Sequence, residues 1–425
     1  MDGPLGTVIT LSTTTRMKVT TATTRTRTGG ATNTSEEAGI HVFRAVASLV
    51  VVGFHAFLYW AAAGDTTEDL EYKVGLVNTN MGLKLLSFAN LSVDGFLVLS
   101  GYLAWRASSC ETSPPFSLTA YIGKKVRRIL VPYWATLAAV AAMARLPLVA
   151  PGVRFDPIFN PKYCPRTLVL SPLLLNNWIG FGGCGVHLWS VAVQVHLFVF
   201  FGLACKLLMV KVVNTTGEDG KNKGYKGYKG YKATVAVIAA LSLLRVALAT
   251  HFGSRFPPPP FDHQSASQAM QDAAMYYYHV LYFATPSRAT NFVSGILLAL
   301  ILGGGNHGRD RAGRDPWTPR AAKLLMLVTL SVTVAYVALL TSVDYRKPGD
   351  WKPWLAALLF HGSPLASLVM ALLLATAIVH WRRKEHEREE CTNIGSRAIR
   401  WLSDRSYLVY LWHPVAMRFV LALHE

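Results

Sequence analysis

Charged side chains are scarce in this chain. Only 16% of its 425 residues are Asp, Glu, Lys or Arg, whereas roughly a quarter of the residues in an average soluble domain are charged. Long hydrophilic segments are also lacking, because apolar runs recur along the chain after residue 38. The composition excludes an ordinary soluble enzyme and predicts that any chemistry takes place within membrane helices or at their ends.

Cysteine is scarce as well. The chain has 5 cysteines, and no two of them have the close spacing of a zinc site. We therefore expect no metal cofactor. The residues before the first apolar run also lack the short apolar core of a signal peptide.

Apolar runs of about 20 residues suffice to cross a bilayer as helices, and the chain contains nine of them. Two shorter segments, 167–180 and 273–285, are candidates for a tenth crossing if neighbouring helices shield their backbones. The predicted fold class is all-α, a polytopic transmembrane helical bundle of about nine or ten spans. The nine predicted spans are 40–60, 83–105, 129–148, 186–209, 233–251, 288–304, 322–341, 354–380 and 401–421.

The location of the positive charge predicts the orientation. The formal net charge of +18 would suggest nucleic-acid binding in a soluble protein. With nine spans, however, every basic cluster falls on one side of the membrane, and the acidic segment 65–71 falls on the other. Basic loops stay in the cytoplasm, so we expect a cytoplasmic N-terminus, membrane lipids as partners and no nucleic acid. The basic clusters lie in the N-terminal tail and at 124–128, 221–232, 309–323 and 382–384.

Three features mark the predicted tail and loops. Residues 1–38 are rich in Thr, Arg and Gly and are predicted to form a disordered cytoplasmic tail, leaving 39–425 as the transmembrane domain. The basic repeat at 221–232 is either a flexible linker or a segment that lies on anionic headgroups. Cys164 and Cys184 share one predicted exoplasmic loop, where an oxidising compartment would allow a disulfide.

Ionisable residues inside spans are expensive and need a partner or a purpose. Arg44 and His55 are eleven residues apart in the first span, hence on one helix face and about 16 Å apart along the axis. Asp94 in the second span falls at a depth similar to that of His55. If the two helices are neighbours, Asp94 can hydrogen-bond His55 and prepare it as a general base.

Each of these residues also has a structural explanation. A lone intramembrane His is often an interhelical hydrogen-bonding residue, and Arg44 alone reads as a side chain that extends to the interface. Asp94 alone would pair with a Ser or Tyr, and Ser100-Gly101 alone indicates close helix packing. The agreement in depth of three costly residues on two spans favours a functional site.

The order of several short motifs resembles the membrane-bound acyltransferase-3 superfamily, whose members move acyl groups from cytoplasmic donors to acceptors such as polysaccharides and lipids. The resemblance covers nearly the whole chain after residue 38. Each motif is weak alone, but five in the right order are specific. They are Arg44 with His55, VDGFLVLSGY (93–102), RRILVPYW (127–134), His187 with Trp189, and YLWHP (410–414).

The resemblance implies roles for these residues. His55 would be the general base or would relay the acyl group, with Asp94 as its orienting partner. Arg44, Arg127 and Arg128 would bind the phosphates of an acyl-coenzyme A, the donor, most simply acetyl-coenzyme A. The acceptor would be a hydroxyl of a carbohydrate or lipid. For the oxyanion, Ser100 and Tyr102 are candidate donors.

Some family positions are harder to interpret. The family carries an acidic residue five positions after the Trp of His-x-Trp, and here that position is Gln194. Gln cannot act as a base, so activity would depend on Asp94. Trp412 and His413 are either an interfacial anchor or part of the acceptor site. Arg288 fits a family position before a small-residue helix, and it also fits a side chain that extends from a helix end.

The sequence analysis thus predicts an O-acyltransferase whose polar cavity opens to the cytoplasm and holds His55 and Asp94. One rival is a transporter, because polar residues within spans also mark substrate pathways. Against it, no internal repeat at the scale of several spans is present. A second rival is a catalytically inactive relative that acts as a receptor or scaffold, for which Gln194 is the best argument.

Overall fold

The computed structural model describes ten stretches of the chain, and its regular elements within them are helices. We number the α-helices in chain order. The described stretches are 31–62, 67–109, 117–144, 164–179, 184–215, 223–251, 277–303, 317–344, 352–387 and 394–424.

Long helices alternate with short ones along the chain. The first half contains α1 (Ala31–Ala62), α2 (Thr67–Thr79), α3 (Met81–Ser87), α4 (Leu91–Ser109), α5 (Leu118–Met143), α6 (Cys164–Leu170), α7 (Asn176–Ile179) and α8 (Trp189–Thr215). The second half contains α9 (Lys223–His251), α10 (Thr285–Gly303), α11 (Pro319–Thr341), α12 (Pro353–Leu359), α13 (Pro364–Glu387) and α14 (Ile394–His424). Short 3-10 turns occupy Ser171–Leu173 and Val186–Leu188, and a π-helical turn occupies Tyr277–Tyr282.

Seven of the described helical segments are long and apolar enough to cross a membrane, which confirms a polytopic bundle. The pair α3 and α4, bent by 47°, forms an eighth candidate if it is one span. The 31-residue helix α14 is also long enough, but it is not among these segments. The seven segments are Glu36–Ala61, Leu118–Met143, Val186–Leu207, Tyr231–His251, Val280–Leu302, Pro319–Thr341 and Trp354–Arg383.

Three local predictions need correction. The segment 167–180 does not form one crossing, because its described residues are divided among α6, a 3-10 turn and α7. Helix α1 already begins at Ala31, so residues 31–38 are helical rather than part of a disordered tail, and 1–30 lie outside the described residues. Helix α9 begins at Lys223, so most of the basic repeat continues a spanning helix instead of forming a linker.

The closest helix crossing is between α4 and α10. A Cβ atom added to Gly101 would lie 1.8 Å from the Phe292 carbonyl oxygen, and one added to Gly295 would lie 1.8 Å from the Val98 carbonyl oxygen. Only glycine permits this approach of two backbones, as is usual where membrane helices pack by van der Waals contact. Gly101 is therefore a packing residue, in agreement with its structural explanation.

Buried charges join the exoplasmic halves of the helices, in the orientation predicted above. Asp94 accepts a hydrogen bond from Arg288 Nη1 and another from the Gly362 N–H at 2.9 Å, and it is fully buried. Arg245 is 1% exposed and donates to backbone carbonyls, among them those of Ala357 and Leu281 at 2.8 Å. Helices α4, α9, α10 and the α12–α13 turn are thereby held together.

A second cluster of charges joins the opposite ends of α1, α4 and α13. Glu36 accepts hydrogen bonds from Tyr102 and Arg106 of α4 and from Arg382 of α13 at 2.7 Å. Its carboxylate is thus shared by two cations and a phenol. The cluster holds the start of α1 in place, because Glu36 lies five residues after Ala31 at its beginning.

The structure also pairs Cys164 with Cys184 in a disulfide, which confirms the pairing that the shared loop allows. The bond connects the start of α6 to the residues that precede α8. It therefore fixes the chain just before His187 and Trp189.

The buried ion pair makes a prediction about stability. Replacing Asp94 with Asn leaves the Arg288 charge without its carboxylate, which should lower the free energy of unfolding by about 3 to 5 kcal/mol. Adding Arg288→Met should recover part of that loss, because the unpaired charge is then gone. Thermal unfolding in detergent measures both, and Glu37→Gln, at an exposed carboxylate next to Glu36, is the control. Equal losses in the single and double variants would contradict this account.

Candidate functional site

A cavity of about 170 Å³ lies between α1, α4, α5, α8 and α14. Its walls are largely apolar, from residues such as Phe96, Leu103 and Phe198. Polar side chains occur at three levels, which are a charged end, a middle level and a far end. The polar lining residues are Arg44, Ser100, Lys125, Arg128, Ser190, Gln194, Ser403, Asp404, Ser406, Tyr407 and Tyr410.

The charged end carries three cations, namely Arg44 of α1 and Lys125 and Arg128 of α5. Asp404 of α14 is the one acid among the described lining residues. Each of these side chains lies in the first half of its helix, so the three helices start at the same end of the cavity. Lys125 also lies 4.9 Å from the ring of Phe198, which places its ammonium against the cavity wall.

Arg127, which the sequence analysis groups with Arg44 and Arg128, is not among the described residues that line the cavity. Adjacent residues of a helix point about 100° apart, whereas residues three apart share a face. Arg128 therefore faces the cavity together with Lys125, and Arg127 is exposed on another face. Sequence reasoning missed Lys125, although its spacing of three from Arg128 was a usable signal.

The middle level consists of one hydrogen-bonded pair. Gln194 of α8 donates from Nε2 to Ser100 Oγ of α4 at 2.6 Å, and the Ser100 hydroxyl donates to the Phe96 carbonyl at 2.7 Å. Ser100 thus needs a donor opposite it, which an amide supplies and an ionised carboxylate does not. Gln194, which stands where the family has an acid, therefore fits its surroundings in this chain, because Ser100 accepts its hydrogen bond.

The far end of the cavity is closed by Tyr410 and Ser190. The Tyr410 hydroxyl donates to the His187 carbonyl at 2.8 Å and is hydrogen-bonded to Ser190 Oγ. The Tyr410 ring lies 6.2 Å from that of Phe96, centroid to centroid. Tyr410 belongs to the YLWHP motif, but the sequence did not mark it as a site residue. The one sequence feature that could have indicated Tyr410 was its spacing of three residues from His413.

Three histidines from distant parts of the chain gather beyond Tyr410. The ring centroid of His413 lies 4.6 Å from that of His55 and 6.1 Å from that of His187. The Tyr410 and His413 centroids are 6.0 Å apart. The sequence had given His187 and His413 no definite role, and the structure brings both to the residue proposed as the base.

Each of these histidines donates one ring N–H to a backbone carbonyl. Because a carbonyl only accepts, the bonded nitrogen carries the hydrogen, and the other nitrogen of a neutral ring is bare. Nε2 of His413 and Nδ1 of His187 are buried and find no hydrogen-bond partner in the part of the chain that the structure describes. The bonds are His55 Nδ1 to Val51 O at 3.0 Å, His187 Nε2 to Leu411 O at 3.1 Å, and His413 Nδ1 to Val409 O at 3.0 Å.

The predicted hydrogen bond between Asp94 and His55 is wrong. Both carboxylate oxygens of Asp94 are used by Arg288 and the Gly362 N–H. His55 instead has its tautomer fixed by the Val51 carbonyl, which leaves Nε2 as the basic nitrogen. Neither Asp94 nor His55 is among the described residues that line the cavity, so this cavity differs from the predicted one, which holds both.

The remaining predicted site residues are not among the described residues that line the cavity. Tyr102 is fully buried against Glu36, away from the cavity, and Trp189 packs under the Arg288 guanidinium at 5.1 Å. Arg288 itself is held by Asp94 and is not a side chain that extends from a helix end. Trp412 is 39% exposed on the outside of the bundle, as expected of an anchor. Tyr102 is thereby removed as an oxyanion donor.

Among the described residues, no group of three or more His, Cys, Asp or Glu side chains is arranged to hold a metal ion.

Comparison with protein families identifies the class. The acyltransferase-3 family model, described as an acyltransferase domain, matches residues 37–423. The chain belongs to this family, and it is a multi-pass membrane acyltransferase. Comparisons with curated proteins and with solved structures gave no match.

Proposed function

We propose that this protein transfers a short acyl group, most simply acetyl, from acyl-coenzyme A to a hydroxyl of a carbohydrate or lipid. The donor occupies the cavity, with its phosphates at Arg44, Lys125 and Arg128. The observation that carries this proposal is a cavity that is cationic at one end and ends at the other at Tyr410, whose ring lies 6.0 Å from that of His413 in the histidine group. In the proposed orientation the N-terminus and the cationic end face the cytoplasm, where acyl-coenzyme A is made.

The charge at the cavity opening supports a phosphate ligand. Three cations converge there with one carboxylate among the described lining residues. Like charges held together at a membrane surface repel one another unless an anion joins them. Guanidinium groups bind phosphate oxygens bidentately, and an ammonium contributes a point charge. A diphosphate with a further phosphate, as in coenzyme A, would satisfy this cluster.

The dimensions support a slender donor arm and a short acyl group. The axial distance from Arg44 to His55 is about 16 Å for eleven helical residues, a length that a pantetheine-like arm can span. The cavity volume is about 170 Å³, so an acyl group that it holds must be small. A long acyl chain together with the arm would exceed this space.

His55 is the proposed general base. Its Nδ1–H is held by the Val51 carbonyl, so Nε2 is free to take the proton of the acceptor hydroxyl. The hydroxyl oxygen then attacks the thioester carbon, and the coenzyme A thiolate leaves. Arg288 keeps Asp94 away from this step, so the role of Asp94 is structural.

The direct test is transfer of labelled acetyl groups from acetyl-coenzyme A by purified protein in nanodiscs, with polysaccharide and lipid acceptors. Replacing His55 with Ala should lower the transfer rate by at least about 10²-fold, because general base catalysis contributes roughly 10² to 10⁴. Trp412→Phe, outside the cavity, should transfer at the wild-type rate. Substrate uptake that does not depend on acetyl-coenzyme A would favour a transporter, and undiminished biological function of His55→Ala would favour an inactive relative.

A second prediction concerns binding of the donor. Lys125→Ala and Arg128→Ala should each weaken coenzyme A binding by about 10-fold or more, because hydrogen bonds to charged groups contribute roughly 1.5 to 3 kcal/mol. Arg127→Ala removes the same charge from the adjacent position on another helix face and should leave binding within about twofold. Titration of the purified variants with coenzyme A measures the difference. Equal weakening in all three variants would mean that only overall charge matters, contrary to the proposed site.

A further inference from the structure

A groove of about 170 Å³ lies between helices α11 and α13. Its lining residues on each helix recur at spacings of three and four, so each set occupies one helix face. One of them, Met326, is 46% exposed, and the groove therefore opens to the outside of the bundle. The lining residues are Thr376, Val379, His380 and Arg383 of α13, and Ala322, Leu325 and Met326 of α11.

The groove exists because α11 and α13 are in close contact at only one end of it. Helix α11 packs mainly on α13, and a hydrogen bond of 2.8 Å between Thr329 and Thr376 joins the two helices at the deeper end. From Thr376 to Arg383, α13 extends about 10 Å along its axis. Over this length the walls are mostly apolar, and within a bilayer such a space is in contact with lipid chains rather than water.

Arg383 lies at the outer end of the groove and is the last residue of the spanning segment that begins at Trp354. The preceding residue, Arg382, donates to Glu36 at 2.7 Å. Adjacent residues of a helix point about 100° apart, so the two arginines cannot share this partner from the same face. Arg383 has no ion pair or hydrogen bond among the residues that the structure describes. Its charge is therefore available to an anion in the groove.

The groove and the cationic end of the cavity lie at the same end of the bundle. Arg382 contacts Glu36, which precedes Arg44 by eight residues on α1. In the predicted orientation this end faces the cytoplasm, and the cytoplasmic leaflet carries anionic lipids that attract basic residues near the membrane surface. A lipid of that leaflet would meet a cation at its headgroup and apolar walls along its chain.

We propose that this groove binds one anionic phospholipid, with the phosphate at Arg383 and part of one acyl chain against Leu325, Met326 and Val379. The lipid bridges α11 to α13 and stabilises the folded bundle, because it binds the folded state and not the unfolded one. A lipid with a net negative charge complements Arg383, whereas a zwitterionic lipid also brings an ammonium group that the guanidinium repels. The site is separate from the cavity and does not depend on the proposed acyl transfer.

Native mass spectrometry of the purified protein in detergent measures binding of each added molecule. Dioleoyl-phosphatidylglycerol is the anionic lipid, dioleoyl-phosphatidylcholine is the zwitterionic one, and glycerol 3-phosphate supplies a phosphate without chains. Arg383→Met removes the cation, and Met326→Trp fills the groove while Arg383 remains. Arg320→Met is the matched control, because the exposed Arg320 lies two residues before Ala322 and hence about 200° around α11 from it.

The wild-type protein should bind phosphatidylglycerol about fivefold more tightly than phosphatidylcholine, the preference expected from one basic residue at an anionic surface. Arg383→Met should lose this preference, and Arg383→Lys, which keeps the charge, should retain it. Met326→Trp should weaken the binding of both lipids, and Arg320→Met should bind them as the wild type does. Phosphatidylglycerol should also raise the unfolding temperature of the wild type more than that of Arg383→Met.

Four results would overturn the proposal. Equal binding of the two lipids by the wild-type protein would do so whether or not the variants fold. An equal loss of preference in Arg383→Met and Arg320→Met would show that only overall charge matters. Glycerol 3-phosphate bound as tightly as phosphatidylglycerol would indicate a site for a soluble phosphate. Unchanged lipid binding by Met326→Trp would show that no chain lies in the groove.

Discussion

The ion pair between Asp94 and Arg288 is the interaction on which the arrangement of this bundle depends. Both side chains are at most 1% exposed, and a charge buried in a membrane protein without a partner costs several kcal/mol. The pair fixes α4 against α10, where Gly101 and Gly295 let the backbones touch. With the Gly362 N–H it also fixes the turn between α12 and α13. Helix α4, held in this way, presents Ser100 and Phe96 to the cavity.

The pairing of polar groups also distinguishes the candidate site. The charged end of the cavity carries three cations to one acid among the described lining residues. In the histidine group beyond Tyr410, two ring nitrogens are among the buried polar atoms without a hydrogen-bond partner in the described part of the chain. A cationic cavity end and neutral imidazoles near the other end are consistent with a ligand that carries phosphates and with a reaction that moves a proton, as proposed above.

Much of the fold could be predicted from the sequence, because it follows from local properties. Apolar run length located the spanning helices, and helical spacing placed Arg44 and His55 on one face of α1. Partners across the bundle could not be predicted in this way. Asp94 and His55 agree in depth, but depth does not reveal which helix faces which. The actual partner, Arg288, is 194 residues away in the chain and comes into contact only through the α4–α10 crossing.

For the candidate site, the family motifs contain residues that line the cavity or lie beside it, but they do not show which neighbours those residues contact. The motif at 127–134 contains Arg127 and Arg128, yet helical phase selects Arg128 and brings in Lys125 from outside the motif. The motif YLWHP contains three different environments within four residues, since Tyr410 closes the cavity, Trp412 is exposed and His413 contacts His55. These three environments depend on how α14 is oriented about its own axis, and tertiary packing determines that orientation.

A structure of the protein with coenzyme A bound, determined by cryo-electron microscopy, tests the central claim most directly. The account predicts phosphate density at Arg44, Lys125 and Arg128, and the thiol sulfur beside Ser190 and Tyr410. Coenzyme A bound elsewhere on the molecule, with the cavity filled by lipid, would contradict it.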